Sequence, residues 1–151
     1  MSHEIRLSVT LPCSCERAWS AIADWEGQGD WMLQSKVWVT SQIREGVGTS
    51  ISAFTGPLYK SYPKFSKLGL LDTMVVTNWQ PPTRCDVMHT GKILKGSGTF
   101  ELIEISARAT RFNWSERIEC SRLQFLLIYP FLWIGVRISL ARLSTSLRPR
   151  E

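Results

Sequence analysis

The sequence predicts an α+β fold in which a curved antiparallel sheet of about seven strands is wrapped around a long C-terminal helix, with short helices after the first strand. Three observations carry this reading. Period-two alternation recurs in short β-branched and aromatic stretches as far as residue 119, with turns containing Gly or Pro between them. Helical spacing is confined to a short stretch after the first strand and to the C-terminal part. Hydrophobic residues make up 44% and charged residues 21% of the 151 positions, which suits a packed core and excludes wholesale disorder. At this length one domain, 1–151, is expected, and it buries roughly 68–70% of the unfolded chain's surface without help from disulfides or metal.

The elements follow in order. Ile5, Leu7, Val9 and Leu11 alternate with Arg6, Ser8 and Thr10, which predicts a half-buried strand stopped by Pro12. Ser14 is the expected N-cap of a helix whose Trp19, Ile22 and Ala23 share one face. The segment 24–30 carries two glycines and reads as a loop or broken short helix ending near Trp31. Strands are then expected over Val37–Ile43 and Thr49–Thr55, joined by a turn at Glu45–Gly48. Residues 57–71 combine two prolines and a glycine with two tyrosines, Phe65 and three lysines, without an acid, and read as a loop or lid. Further strands are expected over Asp72–Trp79, Arg84–Leu94, Thr99–Ile105 and Thr110–Glu119, with turns at Pro81-Pro82 and Gly96-Ser97-Gly98. Finally Trp133, Val136, Leu140, Leu143 and Leu147 share one side of an amphipathic helix that has Arg137, Ser144 and Arg148 on another. Pro130 is placed in its first turn, because an interior proline costs ~3 kcal/mol.

Composition narrows the function classes. The formal charge of +5 and pI near 9.3 are compatible with nucleic acid, an anionic membrane or an acidic ligand. The basic residues are too scattered (Lys60, Lys64, Lys67; Arg137, Arg142, Arg148, Arg150) to form the dense stripe of a nucleic-acid binder, so no nucleic acid is expected. Transient contact of the 57–71 segment and the last helix with an anionic membrane surface is better motivated. The apolar run Leu123–Val136 is 14 residues long, includes Gln124 and Pro130, and meets Arg137, so it falls short of the ~20 residues of a bilayer span. Met1–Leu11 alternates and does not read as a secretory signal, and four cysteines are too few for a secreted disulfide scaffold. A cytoplasmic protein with free thiols is therefore expected, in which the Asn113-Trp114-Ser115 sequon has no role.

Several chemistries are excluded by spacing. Cys13-x-Cys15 supplies two of the four ligands of a structural zinc, with no second pair, so no metal and no cofactor is expected. In residues 91–98, Ser97 and Gly98 stand where a phosphate loop needs Lys and Ser/Thr. The Gly-x-Ser-x-Gly elbow and the dinucleotide fingerprint are missing.

Two residues stand out on the strands. Phe112, Trp114, Glu116 and Ile118 share a face, which makes Glu116 a carboxylate among apolar side chains that must find a partner or take up a proton. It is either an anchor or general base in a water-poor pocket, or a structural Glu paired to a cation at a cavity mouth. His89 shares its face with Cys85, Val87 and Ile93 and is either a hydrogen-bonded core histidine or a partner of Glu116 in acid/base chemistry. Asp72, opening its strand, reads as a turn or end residue.

The order of elements, with short motifs along nearly the whole chain, resembles a known superfamily. The motifs are Leu11-Pro12 through Ala18-Trp19, Gly46-Val47-Gly48-Thr49, Asp72-Thr73-Met74-Val75-Val76, Trp79-Gln80-Pro81-Pro82, His89-Thr90-Gly91, Gly96-Ser97-Gly98-Thr99-Phe100 and Thr110–Glu116. They resemble the Bet v 1-like, or START-like (SRPBCC), superfamily with its helix-grip fold, and more closely small bacterial polyketide cyclase/dehydrase-like proteins. The resemblance implies a cavity between sheet and long helix for a lipid, sterol or polyketide-like molecule, and no catalytic set common to all members. Strand alternation assigns its lining to Trp38, Phe54, Met74, Phe100, Phe112 and Trp114, with Trp133, Val136 and Leu140 from the helix. The expected function is binding, transport or sensing of a small hydrophobic ligand. The alternatives are a cyclase/dehydratase using Glu116 and His89, or an oligomeric role for the apolar helix, in a monomer or homodimer.

Overall fold

The computed structural model describes residues 2–56, 69–92 and 94–149; most of the 57–71 segment read as a lid lies outside them. Strand β1 (Ser2–Leu11) leads into helices α1 (Cys15–Ile22) and α2 (Gln28–Trp31). Strands β2 (Ser35–Val39), β3 (Ser50–Thr55), β4 (Leu70–Gln80), β5 (Arg84–His89), β6 (Gly96–Ser106) and β7 (Ala109–Glu119) follow, and helix α3 (Arg122–Ser146) ends the chain. The seven strands form one curved antiparallel sheet in the order β1-β7-β6-β5-β4-β3-β2, so β7 returns to pair with β1 along its full length. This is the predicted helix-grip arrangement.

The core sits between the inner face of the sheet and the helices. The inner face carries Ile5, Leu7 and Leu11 from β1, Val76 from β4, Val87 from β5, Leu102 from β6 and Phe112 from β7, all buried. Ser14 caps α1 by accepting a hydrogen bond from the Arg17 amide, as its sequence position predicts, and α1 buries Cys15, Ala18, Trp19 and Ile22. Trp19 meets Trp79 edge-on at 5.0 Å between ring centroids. The C-terminal half of α3 is anchored by Leu140, Leu143 and Leu147 in the core, by Ser139 Oγ accepting from the Leu33 amide, and by Arg142 donating to the Asp30 carbonyl.

Two turn assignments change. The turn expected at Gly96-Ser97-Gly98 is the start of β6, paired with β5 and β7. Helix α3 starts at Arg122, two turns before Pro130, and the proline sits inside it. The reason lies at the N-terminus: Ser121 accepts from the Gln124 amide while the Gln124 side chain accepts from the Ser121 amide. That capping box starts the helix early enough that the lost Pro130 hydrogen bond interrupts an already nucleated element.

Candidate functional site

Strand alternation gathers three titratable side chains on one patch of the inner face. Asp72 shares its side of β4 with Met74 and Val76, His89 shares its side of β5 with Cys85 and Val87, and Glu116 lies between Trp114 and Ile118 on β7. The register aligns Met74 with His89, and sets Gly98 of β6 between Val87 and Glu116. Within this frame His89 bridges the two acids. Its Nδ1 lies 2.9 Å from Asp72 Oδ1 and its Nε2 lies 2.8 Å from Glu116 Oε2. With both ring nitrogens facing carboxylate oxygens, both can donate only in the imidazolium.

Glu116 and His89 belong to strands separated by β6, so their contact has to pass over that strand. Gly98 makes the passage. A Cβ at residue 98 would lie 2.8 Å from Glu116 Oε1 and 3.1 Å from its carboxyl carbon. The Gly98→Ala variant is therefore expected to fold with the Glu116 carboxyl displaced from His89. Its imidazole should then titrate closer to the ordinary histidine value, read from the ring-proton NMR shift against pH. An unchanged titration would show that β6 does not gate the contact.

The electrostatics follow from burial and pairing. The side chain of His89 is 2% exposed, against 12% for Glu116 and 14% for Asp72. Burial opposes a charge on His89, but its hydrogen bonds to Asp72 and Glu116, and the charges of those carboxylates, raise its pKa to about 10. Burial pushes Glu116 above the ordinary carboxylate value, opposed by the bond to His89 and its charge, and reinforced by the charge of Asp72. The cluster thus holds protons tightly. One proton can pass between Glu116 Oε2 and His89 Nε2 along a single hydrogen bond with no change in the cluster's net charge, while Asp72 holds the ring orientation through Nδ1.

The other predicted site residues divide by face. Met74, Phe100, Phe112 and Trp114 share the inner face with the cluster, and Phe100 and Phe112 meet edge-on at 5.6 Å. Val136 packs on the core and Leu140 is buried in it. Trp133 turns away and is 40% exposed, because the core side of α3 runs through Leu132, Val136, Leu140 and Leu143. Trp38 and Phe54 lie on the opposite face of the sheet. Ser35 and Val37 take the inner positions of β2, where Ser35 Oγ bonds Thr55 Oγ1 and donates to the Leu33 carbonyl, and Lys36 extends over the outward Trp38 ring. A buried serine thus sets β2 one position away from the placement that its aromatic suggests.

Sequence reasoning missed Asp72 as a partner of His89, and it missed Gly98. Both had a signal: Asp72-x-Met74-x-Val76 already alternates, and a glycine inside a strand marks close approach of another group. The thiols play no part in this patch. Burial raises the pKa of Cys13 and Cys15 and takes Cys85 to about 12, so they are protonated at neutral pH. Among the described residues no cluster of His, Cys, Asp and Glu has the arrangement of a metal site. On the opposite face a polar groove of about 540 Å³ is lined by Arg6, Arg84, Ser97, Thr99, Glu101 and Arg117. There Arg6 pairs with Glu4, and Arg84 with Asp86 and Glu101, and the whole sheet separates the groove from the His89 cluster.

No protein-family model matches the chain, and no curated protein matches it. Solved structures do. The fold matches the Zhui aromatase/cyclase from Streptomyces sp. R1128 with a TM-score of 0.76 at 12% identity, covering 97% of this chain and 94% of that one. It matches a START superfamily protein from Mycobacterium smegmatis with a TM-score of 0.75 at 12% identity, covering 97% and 99%. The Aha1 dimer from Colwellia psychrerythraea matches with a TM-score of 0.68 at 17% identity, covering 96% of each chain. At these identities the likeness is one of fold, a curved antiparallel sheet around a long C-terminal helix.

Proposed function

We propose that the chain binds a small apolar molecule between the inner face of the sheet and α3, with a hydroxyl or carbonyl of that molecule set against the Glu116 carboxyl. The observation that carries this reading is the hydrogen-bonded chain Asp72–His89–Glu116 on an otherwise apolar inner face. Three ionisable groups in such surroundings are costly unless each is paired. The two carboxylates, which keep some exposure, are the groups a ligand can reach. Met74, Phe100, Phe112 and Trp114 supply the apolar surface, whose burial contributes about 25 cal/mol per Å². Likeness of fold to a START superfamily protein and to an aromatase/cyclase supports the class without selecting within it.

The geometry favours one second reading, an acid/base enzyme of the cyclase/dehydratase type. Here Glu116 takes a proton from a carbon next to a carbonyl, or gives one to a departing hydroxyl, while His89 buffers the proton and Asp72 positions the ring. The Glu116→Gln substitution separates the two readings, after native mass spectrometry of protein from its own host has identified a bound small molecule. For a carrier, affinity for that molecule is expected to change by less than about tenfold, the worth of one hydrogen bond. For an enzyme, turnover is expected to fall by roughly 10²–10⁴ with binding largely kept. Protein that carries no small molecule and shows no saturable uptake of apolar probes would remove both readings.

A further inference from the structure

The N-terminal half of α3 exposes apolar side chains around most of its circumference. Leu123, Leu127, Ile128, Phe131, Trp133 and Ile134 are each at least 40% exposed, Phe131 at 80%. At 3.6 residues per turn, Trp133 and Ile128 bound an arc of roughly 220° that contains the other four. The remaining side, through Phe125, Leu132 and Val136, packs on the core. The exposed face far exceeds the scattered single apolar residues normal on a soluble surface.

Charge and length then select the occupant. From Arg122 to Ser146 the helix contains no Asp or Glu, while Arg122 and Arg137 stand at the two ends of the apolar stretch and Arg142 follows. The chain as a whole carries a formal charge of +5. Arg122 and Arg137 are about 22 Å apart along the helix, less than the ~30 Å hydrocarbon thickness of a bilayer. By length and composition the 25-residue α3 is apolar enough to cross a bilayer, but Leu140 and Leu143 hold its following turns in the core, an arrangement that favours a helix lying on the lipid surface with the body of the protein attached. A second copy packing helix to helix covers a stripe and leaves the rest of such an arc in water, whereas the acyl region of a bilayer covers all of it.

We propose that the outer face of α3 docks on an anionic lipid surface. Leu123, Leu127, Phe131 and Ile134 enter the acyl boundary, Trp133 sits at headgroup level, and Arg122 and Arg137 lie against lipid phosphates. The surface is distinct from the His89 cluster, and its test requires no knowledge of the internal ligand.

The test is flotation of the full chain with vesicles of phosphatidylcholine, with and without phosphatidylglycerol, at low and high salt. Binding is expected to vesicles containing phosphatidylglycerol and to weaken as salt rises. The double variant Leu127→Asp/Phe131→Asp alters two exposed positions, so its circular-dichroism melt should match the parent while vesicle binding falls ~10-fold or more. The Arg122→Gln/Arg137→Gln variant should lose the preference for anionic lipid. The proposal is overturned if the parent ignores both vesicle types, or if the aspartate variant binds as well as the parent. It is equally overturned if the parent forms a dimer that Phe131→Asp dissociates while vesicles do not bind, which would assign the face to self-association.

Discussion

Replacing His89 by Ala is expected to lower stability by about 3 kcal/mol near neutral pH, because it leaves two carboxylates on an apolar face with no cation between them. For a chain of this length that corresponds to a fall in melting temperature of roughly 6–12 °C. Urea denaturation should show a lower midpoint at an unchanged slope. Adding Glu116→Gln to the same chain should recover part of the loss, since it removes one of the stranded charges, and this non-additivity distinguishes a charge cluster from a simple cavity. A loss below about 1 kcal/mol with no coupling would show that the imidazole carries no charge in the folded protein.

The second large effect is on the dependence of stability on pH. His89 has a folded-state pKa of about 10, well above the value of about 6.5 in an unfolded chain. A raised folded-state pKa means that the native state binds more protons, so stability falls as pH rises. The contribution of His89 is fully present below pH 6.5 and is lost progressively as pH rises toward 10. The upward shift of Glu116 has the same sense at more acidic pH: the unfolded chain releases this proton first, so stability declines above the ordinary carboxylate value. Melting temperatures should fall from pH 7 to pH 10 more steeply in the parent than in His89→Gln. Parallel curves for the two proteins would falsify the assignment of a charged imidazole.

Much of the architecture was legible because the inner strands alternate cleanly. Ile5, Leu7 and Leu11 on β1, and Phe112, Trp114 and Ile118 on β7, declare one face without ambiguity, and Glu116 was conspicuous as the acid among them. Strand β2 was not legible in this way. Val37, Trp38 and Val39 are all apolar, so alternation offered no choice of face, and the decision fell to Ser35, whose buried hydroxyl pairs with Thr55. The start of α3 was hidden for a different reason. The Pro130 rule is sound as a local cost, but the capping box at Ser121 and the apolar turns beyond it outweighed one missing hydrogen bond. The contact between His89 and Glu116 required a distance across an intervening strand, and only the absence of a side chain at Gly98 pointed to it. The solvent-facing apolar arc of α3 was invisible to periodicity because nearly every position from 123 to 136 is apolar, and which of them meet the core depends on where the sheet stands.

Because Asp72, His89 and Glu116 are 17 and 27 positions apart along the chain and meet only through three successive ladders, no local fragment can carry the cluster. A one-residue slip in β4, β5 or β7 would turn a member to the wrong side and dismantle it. Competence at this site is therefore a late acquisition of folding and an early casualty of unfolding.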